Sequence, residues 1–211
     1  GAKAFLLEPQ STNLITYSSD WSVANFNNSS VSLNTDISPD GAQNADKITF
    51  NGAFSAVRKN YTYTAGTTYT ISFYAKKIIG NGVFEMFDST NSQTIASFNI
   101  TDQWARYTGT FTPSNTSTLV HWLQQGVNGI FQTILLWGAQ VEQQSYATSY
   151  IPTSGASATR NQELCVDATP VINSKEGTLY AEISALANDG TNRIISLNNG
   201  TTNNLVRFFY G

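Results

Sequence analysis

Residues 68–76, TYTISFYAK, alternate with a period of two. Tyr69, Ile71, Phe73 and Ala75 point one way and Thr70, Ser72 and Tyr74 the other, as in a β-strand with one face on a core. The pattern recurs along the chain. GVFEMFDS after the turn IIGNG, QTIASFNI (93–100), WARYTGTFTP (104–113), TLVHWLQQ (118–125) and GIFQTILLWGAQVEQ (129–143) each read as strand, and DKITF and SAVRKN add two upstream. In 104–113, Ala105, Tyr107 and Phe111 share one face, Trp104, Arg106, Thr108 and Thr110 the other, and Pro113 closes the strand. The 129–143 run is apolar in both phases, which suits a central strand covered on both faces or a short buried helix. Thr133 and the flanking Gly129 and Gly138 favour the strand. No stretch has helical periodicity. Strands at intervals of roughly 8 to 14 residues, parted by polar turns, indicate an all-β domain. Some nine strands by residue 143 suit a jelly-roll β-sandwich.

Composition agrees. Charged residues are only 12% of the 211, about half the usual globular share. The polar surface must come from Asn, Thr, Ser and Gln, which compete with the helix backbone for hydrogen bonds. The net charge of -3 and the lack of a Lys/Arg cluster argue against nucleic acid and anionic membrane as partners. No apolar run approaches the ~20 residues that span a bilayer, and GAKAFLLEPQ does not read as a signal peptide. The single cysteine, Cys165, cannot form an internal disulfide and reads as a small apolar group.

The strand set predicts one domain over 1–149. Residues 150–176, opening with YIPTSGASATRNQE, read as an extended linker or a domain-closing strap. The pattern restarts at GTLYAEISAL (177–186), NRIISLNNG (192–200) and NNLVRFFYG (203–211). Three strands do not make a stable sandwich, so the expectation is that 177–211 begins a second β-domain, truncated here, or pairs with a partner.

The set LLEPQSTNLITYSSDW, SPDGAQNADKITF, AGTTYTISFYAK, WARYTGTFTP and WGAQVEQQSYATSYIPTSGASATR resembles a recurrent module of tailed-bacteriophage tail fibre and spike proteins. The resemblance spans residues 5–160. The module is similar to galactose-binding-like jelly rolls of carbohydrate-binding modules, and the restart after 176 resembles the first strands of a laminin-G or concanavalin-A-like, lectin-like domain. The resemblance implies a virion protein that is extracellular and takes part in host attachment. Its implied partners are a host-surface polysaccharide, other virion tail proteins and copies of itself, by analogy as a trimer.

Sugar sites set an aromatic face against a pyranose, ringed by amides and hydroxyls. Trp122 and Gln124 share one face of TLVHWLQQ on strict alternation, with Leu119, His121 and Leu123 on the other. Trp104 and Arg106 share another face, and Tyr74 points outward on its strand. These five, Trp122, Gln124, Trp104, Arg106 and Tyr74, are the candidate glycan contacts. Each also reads as packing. Trp137, inside ILLWGA, reads as core, and Trp21 as a rim anchor or a lid on the core.

Carboxylate pairs do not present themselves. Glycoside hydrolysis needs two within about 5 to 10 Å, and Glu85 and Asp88 fall on opposite faces of one strand. His121, the sole histidine, reads as a satisfied structural group. One His and one Cys support no zinc site. The carbohydrate-binding jelly rolls that the chain resembles often carry one structural calcium, for which Asp40, Asn44 and Asp46 are weak candidates without a calcium-loop spacing; an Asp-Gly turn accounts for them as well. The expected function is a non-catalytic structural and adhesive module. A purely structural spacer and a fragment of a polysaccharide depolymerase with its catalytic domain elsewhere remain open.

Overall fold

The computed structural model describes residues 7–163, 193–198 and 205–210. The chain divides into two compact units, Gly1–Leu164 and Cys165–Gly211. The described residues contain strands and no helix.

The first unit is a β-sandwich. Its strands are β1 (Ser11–Asn13), β2 (Asn25–Asn27), β3 (Ser29–Asp36), β4 (Ala45–Asn51), β5 (Ala56–Arg58), β6 (Tyr69–Ile79), β7 (Val83–Asp88), β8 (Gln93–Asn99), β9 (Ala105–Phe111), β10 (Val120–Gln124), β11 (Phe131–Glu142) and β12 (Ala158–Arg160). One five-stranded sheet runs β3-β4-β11-β6-β9 and the other β2-β5-β10-β7-β8, with β1 and β12 paired separately. Pairing is antiparallel throughout.

The alternation of TYTISFYAK is reproduced. Tyr69, Ile71, Phe73 and Ala75 enter the core with Ile48, Phe50, Phe84, Met86, Ile134 and Leu136. Trp21 and Trp122 meet edge to face near its centre, 5.8 Å between ring centroids. Trp21 is fully buried, so it is a lid on the core and not a rim anchor.

β11 is the central strand of its sheet, and its double apolar phase has a local cause. Ile134 and Leu136 face the core, and so do Ala139 and Val141. The change from even to odd positions happens at Gly138, whose φ is +66°, where the register against β6 shifts between Trp137 and Gln140. A bulge with a left-handed residue adds one residue to the strand and inverts its faces.

The outer face of this sheet is also covered. Ile151 and Thr153 are buried, and β12 pairs with β1 from Ser11↔Arg160 to Asn13↔Ala158. Residues 150–163 therefore belong to the first unit. Of the two readings of 150–163, linker and domain-closing strap, the segment has the contacts of a strap, lying on β11 within the unit that ends at Leu164. Glu8 forms an ion pair with Arg160 at 2.5 Å, and Glu163 N donates to the Glu8 carbonyl at 2.9 Å.

No sustained period-two pattern marks the strands β1, β2, β3 and β12 in the sequence. β3 is exposed along most of its length, so no apolar alternation marks it. In the second unit, β13 (Arg193–Asn198) pairs antiparallel with β14 (Leu205–Tyr210), from Arg193↔Tyr210 to Asn198↔Leu205. Cys165 and the strand expected over 177–186 lie outside the described residues.

Candidate functional site

The outer face of the β2-β5-β10-β7-β8 sheet carries a polar strip built by register. Asn27 lies opposite Ala56, Ala56 opposite Gln124, Gln124 opposite Glu85 and Glu85 opposite Ser97. Cross-strand partners share a face, so these residues form one row. A second row holds Asn25 opposite Arg58 and His121 opposite Phe87, with Phe87 opposite Thr94. Between the rows lies a groove of about 300 Å³ lined by Asn25, Phe26, Asn27, Ala56, Arg58 and His121. Ala56 gives it depth, because a methyl group there leaves room between longer neighbours.

The strip is joined by hydrogen bonds. Thr94 Oγ1 donates to Glu85 Oε2 at 2.7 Å, and Gln124 Nε2 reaches Glu85 Oε1 at 3.5 Å. With its amide nitrogen turned to Glu85, Gln124 accepts from His121 Nδ1–H through Oε1 at 2.5 Å. That leaves His121 Nε2 as the uncommitted ring nitrogen. Phe87 supplies a half-buried aromatic ring on the same face.

The five residues singled out from sequence do not come together. Strict alternation put Trp122 and Gln124 on one face, but β10 has a bulge between His121 and Gln124. Trp122 and Leu123 both turn inward and are fully buried, and Gln124 joins His121 outside. Trp122 is thus a core residue, stacked near Phe73 at 6.3 Å, and offers no ring to a ligand.

Tyr74 and Arg106 lie on the other side of the sandwich, in the seat of the strap. Arg106 Nη1 donates to the Thr148 carbonyl at 2.5 Å and Nη2 to Ser72 Oγ at 2.8 Å, and the guanidinium lies 5.6 Å from the Tyr74 ring centroid. Tyr74 packs on Trp137, which packs on Tyr150. Trp104 donates from Nε1 to the Ile37 carbonyl at 3.2 Å.

Asp40, Asn44 and Asp46 do not form one oxygen cage. Asn44 turns its amide nitrogen to Asp40 Oδ2 at 3.2 Å, and Asp40 Oδ1 accepts from Ser38 Oγ and Ala42 N. The Ser38 bond leads in holding the Asp40 carboxyl below its usual range. Asp46 is buried, and its two oxygens accept from Trp21 N at 2.9 Å and Asn34 N at 2.8 Å. Burial raises its pKa against those bonds.

Sequence reasoning missed Asn25, Asn27, Arg58 and Phe87, and set His121 and Glu85 aside. The signal available was the alternation of NFN, with Phe26 packed against the core and two amides outside.

No protein-family model and no curated protein matches this chain. Among solved structures it is similar to the CBM22-1 xylan-binding domain of Paenibacillus barcinonensis Xyn10C, with 18% identity and a TM-score of 0.42 over 70% of this chain and 100% of that one. It is similar to the N-terminal cellulose-binding domain of Cellulomonas fimi β-1,4-glucanase C, with 17% identity and a TM-score of 0.35 over 51% of this chain and 83% of that one. It is also similar to part of the enzymatically active domain of bacteriophage CBA120 tailspike protein 4, with 10% identity and a TM-score of 0.36 over 58% of this chain and 20% of that one.

Proposed function

We propose that this chain is a non-catalytic adhesive module that binds a glycan along the outer face of the β2-β5-β10-β7-β8 sheet. The observation that carries the reading is the strip itself: amides, a guanidinium and an imidazole lining a groove, with the Glu85 carboxylate, the Thr94 hydroxyl and the Phe87 ring on the same sheet face. Sugar hydroxyls need both donors and acceptors, and the apolar face of a pyranose needs an aromatic or aliphatic neighbour. The strip offers both on rigid strands.

The carboxylates support binding without hydrolysis. Glu85 lies on the face, whereas Asp88 caps the next turn, accepting from Thr90 N, Asn91 N and Asn91 Nδ2. Glu142 is buried beneath the strap and takes hydrogen bonds from Ser11 and Thr148. A hydrolase would need a second carboxyl group facing Glu85 across the sugar.

The opening and closing motifs support placing the module in a phage tail fibre or spike, on the virion surface, with host polysaccharide and other tail proteins as partners. A structural spacer without a sugar site is the second reading. It draws on the burial of Trp21 and Trp122, which removes two large rings from any surface. A glycan array with the 211-residue chain separates the two. Saturable binding that Phe87→Ala weakens supports adhesion, and a blank array supports the spacer.

A further inference from the structure

Arg58 is the charged group of the groove, and it is not neutralised. Its Nε is buried without a hydrogen-bond partner, and Arg58 takes part in no ion pair among the described residues. The neighbouring Lys59 points to the opposite side, where its Nζ donates to the Tyr17 and Asp20 carbonyls. Glu85 is two strands away in the order β2-β5-β10-β7-β8, held by Thr94 and Gln124. A half-buried guanidinium loses hydration and gains nothing in return unless an anion or a set of acceptors meets it.

The groove's other polar side chains present acceptors. Asn25 Nδ2 donates to Asn60 Oδ1 at 2.7 Å and Asn27 Nδ2 to the Phe54 carbonyl at 2.9 Å. Each amide therefore commits one N–H to the protein, and its Oδ1 has no partner among the described residues. His121 likewise commits Nδ1 to Gln124. The groove thus pairs one fork-shaped cation with several acceptors.

Resting on the glycan-binding reading above, we infer that the groove recognises an acidic sugar through its carboxylate. The planar carboxylate would meet the Arg58 fork in a bidentate pair, while neighbouring hydroxyls donate to Asn25 and Asn27. A neutral sugar offers the cation only uncharged hydroxyl and ring oxygens, which make weaker pairs than a carboxylate and do not match the planar fork.

The test is a panel of uronate- and sialate-bearing glycans, each matched with its carboxyl-reduced neutral counterpart, measured with the full 211-residue chain by array and then calorimetry. The expected result is binding to acidic members, weaker by about tenfold or more after carboxyl reduction, as loss of a charge-assisted pair implies. Arg58→Ala should remove that preference. Arg58→Lys should lose most of it, since an ammonium keeps the charge without the fork. Phe87→Ala should weaken acidic and reduced members alike. Melting curves identify any variant that fails to fold, and Arg58→Gln then replaces Arg58→Ala. Equal binding of acidic and reduced members, or a preference that survives loss of Arg58, overturns the inference and leaves glycan binding standing. Absence of binding to every member overturns both.

Discussion

The side-chain amide of Asn13 donates to the Ile151 carbonyl at 2.9 Å across 138 residues of sequence. The same nitrogen donates to the Ala139 carbonyl at 3.0 Å, and Oδ1 accepts from Ile15 N and Val141 N. One buried side chain thus ties the opening segment, the central strand and the closing strap. The covered groups would otherwise be backbone donors and acceptors without water.

Asn13→Ala is therefore expected to cost about 2 to 5 kcal/mol, because several buried polar groups lose partners at once. Urea denaturation measures it, and a change below about 0.5 kcal/mol, the range of ordinary surface substitutions, would show that the strap is held by other contacts.

How far the sequence reveals this design depends on where the strands bulge. Gly138 marks one bulge, because a left-handed backbone favours glycine, and the double apolar phase of TILLWGA is the visible trace of the strap. The bulge at Trp122–Leu123 carries no glycine, so alternation places Gln124 with Trp122 and hides the face that Gln124 shares with His121 and Glu85. β2 and β5 are three residues each, too short for periodicity to say which face Asn25, Asn27 and Arg58 occupy. Register across strands gathers the groove, and a single sequence does not give register.

Truncation tests the strap directly. A chain ending at 164 should unfold cooperatively, with the calorimetric and van't Hoff enthalpies equal. A chain ending at 149 should not, because it removes the Ile151 amide from Gln140 Oε1, the Thr153 amide from Ser18 Oγ and the β12 partner of β1. A cooperative, equally stable 149-residue chain would return the strap to the status of a linker.

Gly138→Ala probes the bulge. At φ +66° a side chain is strained, and its Cβ would stand 3.0 Å from Tyr74 Cδ2. The expected loss is about 1 to 3 kcal/mol, from left-handed backbone strain and close packing together. Thermal melting reads it, and an unchanged midpoint would mean that Tyr74 and the Trp137 stack give way freely.

Lys59 sets a pH dependence. It is buried, with Nζ 4.7 Å from the Trp21 ring centroid and donating to two carbonyls. Burial pulls its pKa down from 10.5 to about 8, against the opposing pull of Asp20 and Asp46. The unfolded chain holds this proton up to the higher value, so between about pH 8 and 10 the unfolded state binds more protons and stability rises with pH. Below pH 8 the full cost of the buried charge is present. The tyrosines act later and in the opposite sense: Tyr61 is pushed up to about 12, foremost by burial, so its contribution is present below pH 10 and fades as the pH climbs toward 12. The free energy of unfolding should therefore gain on the order of 2 kcal/mol between pH 8 and 10, and the gain should vanish in Lys59→Met. Denaturant titrations at four pH values across that window measure the slope. A slope of zero in the parent chain, or the same slope in both chains, would show that Lys59 keeps its proton throughout and that the Tyr17 and Asp20 carbonyls compensate fully for its burial.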